Sequence, residues 1–451
     1  MTVPAAGVLQ GLGFTGLASS AALRAQLGVS AATLTRLVRA LGDEVIRVGR
    51  GRATQYARTR RIEGLGRNLP VFRVDERGEP TPAGRLHALW GRRTYWEREA
   101  PAASVLFEGL PPALADMAPQ GYLGRAFSIR YAEELRLPQR IMDWSDDHRL
   151  IALARRGEDC VGDLIVGDES LSRFIARPHL EVGRDEYPAL ARRSASEDVG
   201  SSAGGERPKF GAFSGGRHVL VKFATDADTA SARRWRELLW CEWLALETIR
   251  AAGRTAARAQ CFDVAGWRFL EVERFDRVGA RGRRSLLSLL AIANEYGGEI
   301  DTWTSAALEL RRRPFSLSED DATTLRWLDV FGTLIGNTDR HFGNVSFLVD
   351  DDVRLRLAPA YDTLPIVLAP SGDDLVPREL SPNPPTGNTL DVWQDAATWA
   401  ARYWRDVRHH DGSSREVRAF AEGALRALSK LAERVSPRAH SAVSAAAGGT
   451  T

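Results

Sequence analysis

Apolar positions along the chain follow two periods, and the change from one to the other marks its elements. Near the N-terminus Leu34, Leu37, Val38 and Leu41 recur at i, i+3, i+4 and i+7, which predicts a helix over 31–41 with Ser30 as its N-cap. An earlier helix is expected to end at Leu27, capped by Ser19 or Ser20, with Gly28 and Val29 turning between the two. Arg36 and Arg39 then face away from the apolar stripe. Beyond Gly42, a C-cap residue, VIRV, GRGR and ATQYA read as strand, tight tip and strand, with Arg50 and Arg52 in the tip. Two capped helices followed by a basic hairpin form a winged helix-turn-helix pattern, and Arg36, Arg39, Arg50 and Arg52 are its candidate DNA contacts. The plainer reading is a small helical domain with a solvated basic face.

Residues 62–150 alternate short apolar runs with Gly and Pro, as in LPVFRVDERGEPTPAGRL, and predict mixed strands and helices. The stretch RRSASEDVGSSAGGERPK, residues 192–209, breaks every period with Ser, Gly and charge, so a loop is expected there. Period two then resumes in KFGAF and HVLVKFA, a hairpin joined by SGGR that puts Leu220 and Lys222 on one face. A helix is expected over 231–251, carrying Glu237, Glu242 and Glu247, followed by WRFLEVERFDR as a buried strand with a charged end. From about residue 285 the chain reads as largely helical, interrupted by IGNTDRHFGN and by a hairpin from VSFLV to RLRLAP.

Composition narrows the class. At 451 residues, 44% hydrophobic and 26% charged, the chain suits a folded protein of about three domains. No apolar run approaches the roughly 18 residues of a membrane helix, and the first 23 residues lack the basic start of a secretory signal. Cys160, Cys241 and Cys261 are odd in number and widely spaced, which fits neither a disulfide framework nor a zinc site. A cytoplasmic protein without a membrane partner is expected. The net charge of +3 hides an asymmetry: residues 1–61 hold nine Arg and two acids, so the other 390 carry −4. That basic end points to a polyanionic partner. Among 61 basic residues only Lys209, Lys222 and Lys430 are lysines, positions where a compact ammonium is kept in place of a planar fork.

IGNTDRHFGN, residues 335–344, sets an Asp, a His and an Asn between two apolar runs, where an unpaired carboxylate is costly. Asp339 and Asn344 have the D-x-x-x-x-N spacing of a protein-kinase catalytic loop, in which the Asp takes the substrate hydroxyl proton and the Asn holds magnesium. Asp362, after the second hairpin, would be the other metal carboxylate; magnesium favours such hard oxygen donors. That spacing alone is common by chance. The chain order Lys222 on a strand, Glu242 on the next helix, then Asp339, Asn344 and Asp362 is what phosphoryl transfer requires. For Lys222 the plain alternative is an edge-strand charge, and for Glu242 a solvated helix position. His341 reads as a structural or nucleotide contact, since no second His or Cys stands at ligand spacing. Glu273, Arg274 and Phe275 would form a hinge whose backbone meets an adenine edge, or simply end a core strand.

SSAGGERPK, VKF, CEWLAL, VERFDR, GNTDRHFGN and LAPAYDTLP, in this order over roughly residues 65–435, resemble the HipA-like serine/threonine kinases of bacterial toxin-antitoxin systems. The fused helix-turn-helix resembles the YjjJ branch of that family. The resemblance implies ATP and Mg2+ as cofactors, Asp339 as catalytic base with Lys222 and Glu242, and Asn344 and Asp362 as metal ligands. It implies that Ala203, Gly204, Gly205, Glu206 and Lys209 cover ATP, that Glu273 to Phe275, His341 and Tyr361 contact it, and that Ser201, or the adjacent Ser202, is autophosphorylated. It also implies a protein substrate of the translation-factor type and an antitoxin partner, beside double-stranded DNA. Two features depart from the family pattern: Pro208 is an apparent insertion in AGGERPK, and the DNA-binding module is carried in the same chain.

The fold class expected is α+β: a two-lobed, protein-kinase-like (HipA-like) fold after a winged helix-turn-helix. The divisions are 1–61, DNA binding; 62–275, an N-terminal lobe with ATP-covering loop and hinge; 276–440, a mainly helical lobe; and 441–451, a disordered tail. The competing reading is a DNA-binding regulator whose kinase-like half senses nucleotide without catalysis. Loss of Lys222, Asp339, Asn344 or Asp362 would mark it, and all four are present. A nuclease would need a further carboxylate cluster, which the sequence does not offer.

Overall fold

The computed structural model describes residues 5–49, 51–99, 104–176, 180–196, 207–296, 298, 300–312, 317–350 and 354–448, apart from the side chains of Arg52, Ser196, Tyr296 and Pro437. The chain divides into two compact units, Met1–Pro178 and His179–Thr451. This division falls inside the stretch 62–275 expected as one lobe, because a five-stranded sheet in the first unit closes around its own core.

In the first unit, α1 (Ala6–Leu12), β1 (Leu17–Ser19), α2 (Ser20–Leu27) and α3 (Ala31–Ala40) precede β2 (Val45–Val48) and β3 (Gln55–Arg58). The side chains of Ser19 and Ser30 accept from the amides of Ala22 and Thr33, so both helices begin at hydroxyl caps. Gly28, at φ 62°, supplies the left-handed residue that stops α2. β3 pairs antiparallel with β1 and β2, and Leu12, Leu23, Leu34, Val45 and Tyr56 share one core. AGVLQGL is too short and Gly-rich to show a helical period, and α1 was not legible from it.

Next come β4 (Asn68–Val74), β5 (Pro80–Leu89), β6 (Arg93–Glu97), β7 (Val105–Glu108), α4 (Pro112–Met117), α5 (Gly121–Leu135), α6 (Asp146–Arg156), β8 (Leu164–Val166) and α7 (Asp168–Ala176). The sheet runs β7-β6-β5-β4-β8, and Val71, Leu86, Trp96 and Val166 pack with Leu114 of α4 and Leu150 and Leu153 of α6.

The second unit opens with α8 (Tyr187–Ser196), the hairpin β9 (Lys209–Ser214) and β10 (Arg217–Ala224), α9 (Ala230–Ala251), β11 (Ala259–Val264) and β12 (Trp267–Glu273). These strands form an antiparallel sheet in the order β11-β12-β10-β9. Alternation along β10 sends Val219, Val221 and Phe223 into a cluster with Tyr187 of α8, while Lys222 and Ala224 take the other face, which α9 covers.

Then follow β13 (Arg277–Val278), β14 (Gly282–Arg283), β15 (Leu286–Ser288), α10 (Leu289–Tyr296), α11 (Trp303–Arg312), α12 (Glu319–Leu334), β16 (Ser346–Val349), β17 (Leu355–Leu357), α13 (Leu390–His409), α14 (Arg415–Val435) and α15 (Pro437–Gly448). Trp327, Phe331, Tyr403 and Trp404 are fully buried among these helices. Residues 441–448, expected as the start of a disordered tail, instead continue α15 and bury Val443 in the same core. SAVSAAAG is rich in alanine, whose helix propensity is high and whose small side chain lets the helix dock closely. Among the described residues no helix is long and apolar enough to cross a membrane.

Candidate active site

The site grows from the covered face of β10. Lys222 is buried, and its Nζ donates to Glu242 Oε1 on α9 and to Asp362 Oδ1 after β17, each at 2.6 Å. Burial alone would lower the Lys222 pKa, but the two carboxylates outweigh it and hold the ammonium above its ordinary value. Burial would likewise raise Asp362; Lys222, with Lys209 and His341, instead brings it down to about 2. Glu242 shares its cation with Asp362, so burial prevails and pushes its carboxyl up to about 7. Lys209 stands directly opposite Lys222 in the β9–β10 register, which places both side chains on one face of the sheet.

The loop after α12 is built on hydrogen bonds. The Asp339 amide donates to Asn337 Oδ1 at 3.1 Å, and the Asn344 side-chain amide donates to the Asp339 carbonyl at 2.8 Å. Asn344 Oδ1 has no partner among the described residues. The Asp339 carboxylate is 58% exposed, with His341 Nε2 4.0 Å from its Oδ1, so it is open to a substrate. His341 Nδ1 accepts from the Gly343 amide at 3.0 Å, a contact that orients the ring. Tyr361 donates its hydroxyl to the Gly343 carbonyl at 2.8 Å and meets the Ser346 hydroxyl at 2.8 Å. The residue before Asp362 is thereby tied to the residue before Asn344.

Beside this centre, Phe275 packs on Tyr361 with ring centroids 5.6 Å apart. The amides of Glu273 and Arg274 already donate to the carbonyls of Arg258 and His218. The Arg274 carbonyl accepts from the Arg277 amide at 3.2 Å, so of the expected hinge it is the Phe275 backbone that is left for a ligand edge. Arg36 and Arg39 are exposed on α3 without side-chain partners among the described residues. Other arginines of the basic end are engaged: Arg58 stacks on Trp90 and Arg60 pairs with Asp147. Ser201, Ser202, Ala203, Gly204, Gly205, Glu206 and Arg50, with the Arg52 side chain, lie outside the described residues.

Three supporting residues were not found from the sequence. Asp329 on α12 accepts from Arg340 Nε at 3.1 Å and from the Thr304 amide and hydroxyl, which pins the loop to two helices. Arg340 also donates to the Asn337 carbonyl. Asn337 could have been found, because an Asn two residues before Asp339 has the spacing of an Asx turn. Arg207, which the sequence places within the expected ATP-covering stretch, lies over the Trp235 ring of α9.

A strand lysine paired with a helix glutamate, then a D-x-x-x-x-N loop and a second carboxylate, within a mixed α+β unit, fits a kinase-like fold. Residues 65–175 match the family model of the YjjJ-like toxin middle domain, and residues 201–435 that of the HipA-like C-terminal domain. The chain is 34% identical over 430 residues to Toxin YjjJ of Escherichia coli (strain K12), covering 92% of this chain and 96% of that protein. It belongs to the HipA-like toxin family, in the YjjJ-like branch. Among solved structures it is similar to the HipA of Shewanella oneidensis MR-1 in complex with HipB and operator DNA, at 16% identity, TM-score 0.47, 74% of this chain and 84% of that one. The Helicobacter pylori kinase CtkA matches at 15% identity and TM-score 0.36, over 53% of this chain and 92% of that one.

Proposed function

We propose that this chain is an ATP- and magnesium-dependent serine/threonine protein kinase whose residues 1–61, a winged helix-turn-helix, bind double-stranded DNA. The reading is carried by the Lys222 ammonium, held between Glu242 and Asp362 at 2.6 Å from each. A lysine oriented by a helix carboxylate is placed to meet nucleotide phosphates. The donor set suits magnesium: an ionised Asp362 carboxylate and an unpartnered Asn344 Oδ1 are both hard oxygens. Nucleotide with its metal, when bound, supplies the phosphoryl group. The exposed Asp339 carboxylate would accept the proton of the incoming hydroxyl, and Asn337 and Arg340 hold its backbone in place.

Membership in the family supports a protein substrate of the translation-factor type, autophosphorylation at Ser201 and an antitoxin partner. Exposed Arg36 and Arg39 on the second of two capped helices support the DNA contact. A nucleotide-sensing regulator without catalysis is the second reading; the direct Lys222–Asp362 contact, which occupies a proposed metal carboxylate, favours it. One experiment decides between them. Purified chain is incubated with γ-labelled ATP and Mg2+, with Asp339→Asn as the control. Label on protein from the wild type alone supports the kinase; bound nucleotide with no transfer supports the sensor.

A further inference from the structure

Lys209 and Lys222 belong to the candidate active site, which leaves Lys430, the third lysine of the chain, without a role. It is exposed on α14, four residues after the exposed Arg426, and neither cation has a partner among the described residues. Both line a cavity of about 530 Å3 between α14 and residues 375–380. The α14 wall of that cavity runs from Glu416 to Lys430, roughly 21 Å at a rise of about 1.5 Å per residue.

The facing wall selects the occupant. Residues 375–380 run without helix or strand, and none of their backbone amides or carbonyls bonds to another described residue. Side chains nonetheless hold the segment in place. Arg378 donates to the carbonyls of Val367 and Ala369 at 2.8 and 3.1 Å, and the buried Arg234 of α9 donates to the Leu368 carbonyl at 3.2 Å. Open backbone groups on an anchored segment accept an added strand, whose own amides and carbonyls complete the ladder. A nucleic acid offers no such ladder. Leu375, Leu380 and Phe420 are half-buried and Val376 is 49% exposed, so apolar side chains of an added strand find contacts there.

Charge sets the sign of the occupant. Four cations line the cavity against two carboxylates, Glu379 and Glu416. Glu416 lies in the first turn of α14, where the positive end of the helix offsets it. Arg234 and Arg378 are committed to carbonyls, and Arg426 and Lys430 remain to be matched. We propose that this groove binds an extended acidic peptide segment of a partner protein, about six residues long at roughly 3.3 Å per residue. Its apolar side chains rest on Val376 and Phe420, its backbone pairs with residues 375–380, and its carboxylates meet Arg426 and Lys430. The seat needs neither nucleotide nor catalysis.

The test uses the full labelled chain on arrays of blocked decapeptides. One set combines Leu, Val and Phe with Asp and Glu; a second has Lys and Arg in place of the acids; a third has Ser and Thr in place of the apolar residues. The acidic, apolar set is expected to bind about 10-fold or more tighter than either of the others. Arg426→Glu/Lys430→Glu should cut the preference for acidic over basic peptides by about 10-fold or more, whereas Arg434→Glu, exposed on α14 outside the groove, should keep it. N-methylation of alternate amides in the best-bound peptide should abolish its binding, because it removes the backbone donors. Thermal melting checks folding, and Lys430→Gln, expected to reduce the preference by about threefold, carries the test if the double reversal does not fold. Equal binding of the three sets, a preference that the double reversal leaves intact or that Arg434→Glu removes equally, or binding insensitive to N-methylation overturns the proposal. So does an oligothymidylate bound in place of any peptide.

Discussion

Lys222 and Asp362 are 140 positions apart in the chain and 2.6 Å apart between Nζ and Oδ1. Their contact, with Glu242 on the other side of the ammonium, joins a sheet, a helix and the segment after β17 through one proton-bearing group. Removing that group leaves a buried carboxylate alone. Lys222→Met should destabilise the chain by about 3 kcal/mol or more at pH 8, and by less at pH 6, where Glu242 can take up a proton. Lys222→Met/Glu242→Gln should recover most of the loss. Urea unfolding at the two pH values measures both; equal stability of wild type and Lys222→Met at pH 8 would contradict the burial argument.

Glu242 gives the stability a pH dependence of definite sign. Its carboxyl is raised from 4.5 to about 7, so the contribution is fully present below pH 4.5 and is lost as pH rises through about 7. Glu242→Gln, fixed in the neutral form, should flatten the fall in stability between pH 5 and 7, up to about 1.4 kcal/mol per pH unit. Asp362 acts oppositely. Lowered from 3.8 to about 2, it stabilises above pH 3.8 and ceases to as the pH falls through 2. Melting curves across pH 2 to 8 test both signs.

Asp339→Asn should leave stability within about 0.5 kcal/mol, because the side chain is 58% exposed. Phosphoryl transfer should fall by about 100-fold or more, the usual contribution of a general base, while ATP affinity by calorimetry is unchanged. In the same assay, peptide mass spectrometry should find phosphate on Ser201 or Ser202 in the wild type and none in the variant. Undiminished transfer by Asp339→Asn would remove Asp339 from the role of base.

Asp329→Ala acts without touching substrate. It leaves Arg340 and Thr304 without their shared acceptor and should cost about 1–3 kcal/mol. Since the loop bearing Asp339 loses its anchor, kcat should drop more than KM for ATP rises. A rise in KM alone would place Asp329 in binding instead of loop positioning.

For DNA, Arg36→Ala and Arg39→Ala should each flatten the log-log salt dependence of duplex binding by about one unit if each meets a phosphate. Gel shift or anisotropy between 50 and 200 mM salt measures the slope. No duplex binding by the wild type at low salt would refute the winged-helix reading.

Local signals account for much of what the sequence disclosed. Ser19 and Ser30 announced α2 and α3 because a cap acts within three residues, and alternation along HVLVKFA put Lys222 on the face opposite Val221 because strand geometry has period two. Contacts that depend on distant packing were not legible. Nothing near Asp329 foretold Thr304 or Arg340, and nothing near Arg207 foretold Trp235. The extension of α15 was misread for a related reason: an Ala- and Ser-rich terminus looks like a tail until Val443 finds α13 and α14 beneath it.

Among the described residues, Asp362 is one of four non-glycine residues with positive φ, at 52°. In that left-handed region an ordinary L-residue pays about 1 kcal/mol, whereas Asp and Asn are tolerated because their short polar side chains can bond locally. Alanine at 362 would therefore disturb the turn as well as delete the carboxylate. Asparagine is the clean replacement: it tolerates the backbone, keeps an oxygen near Lys222 and removes only the charge, so an effect of Asp362→Asn on magnesium-dependent nucleotide affinity reports the metal contact and not a reshaped loop.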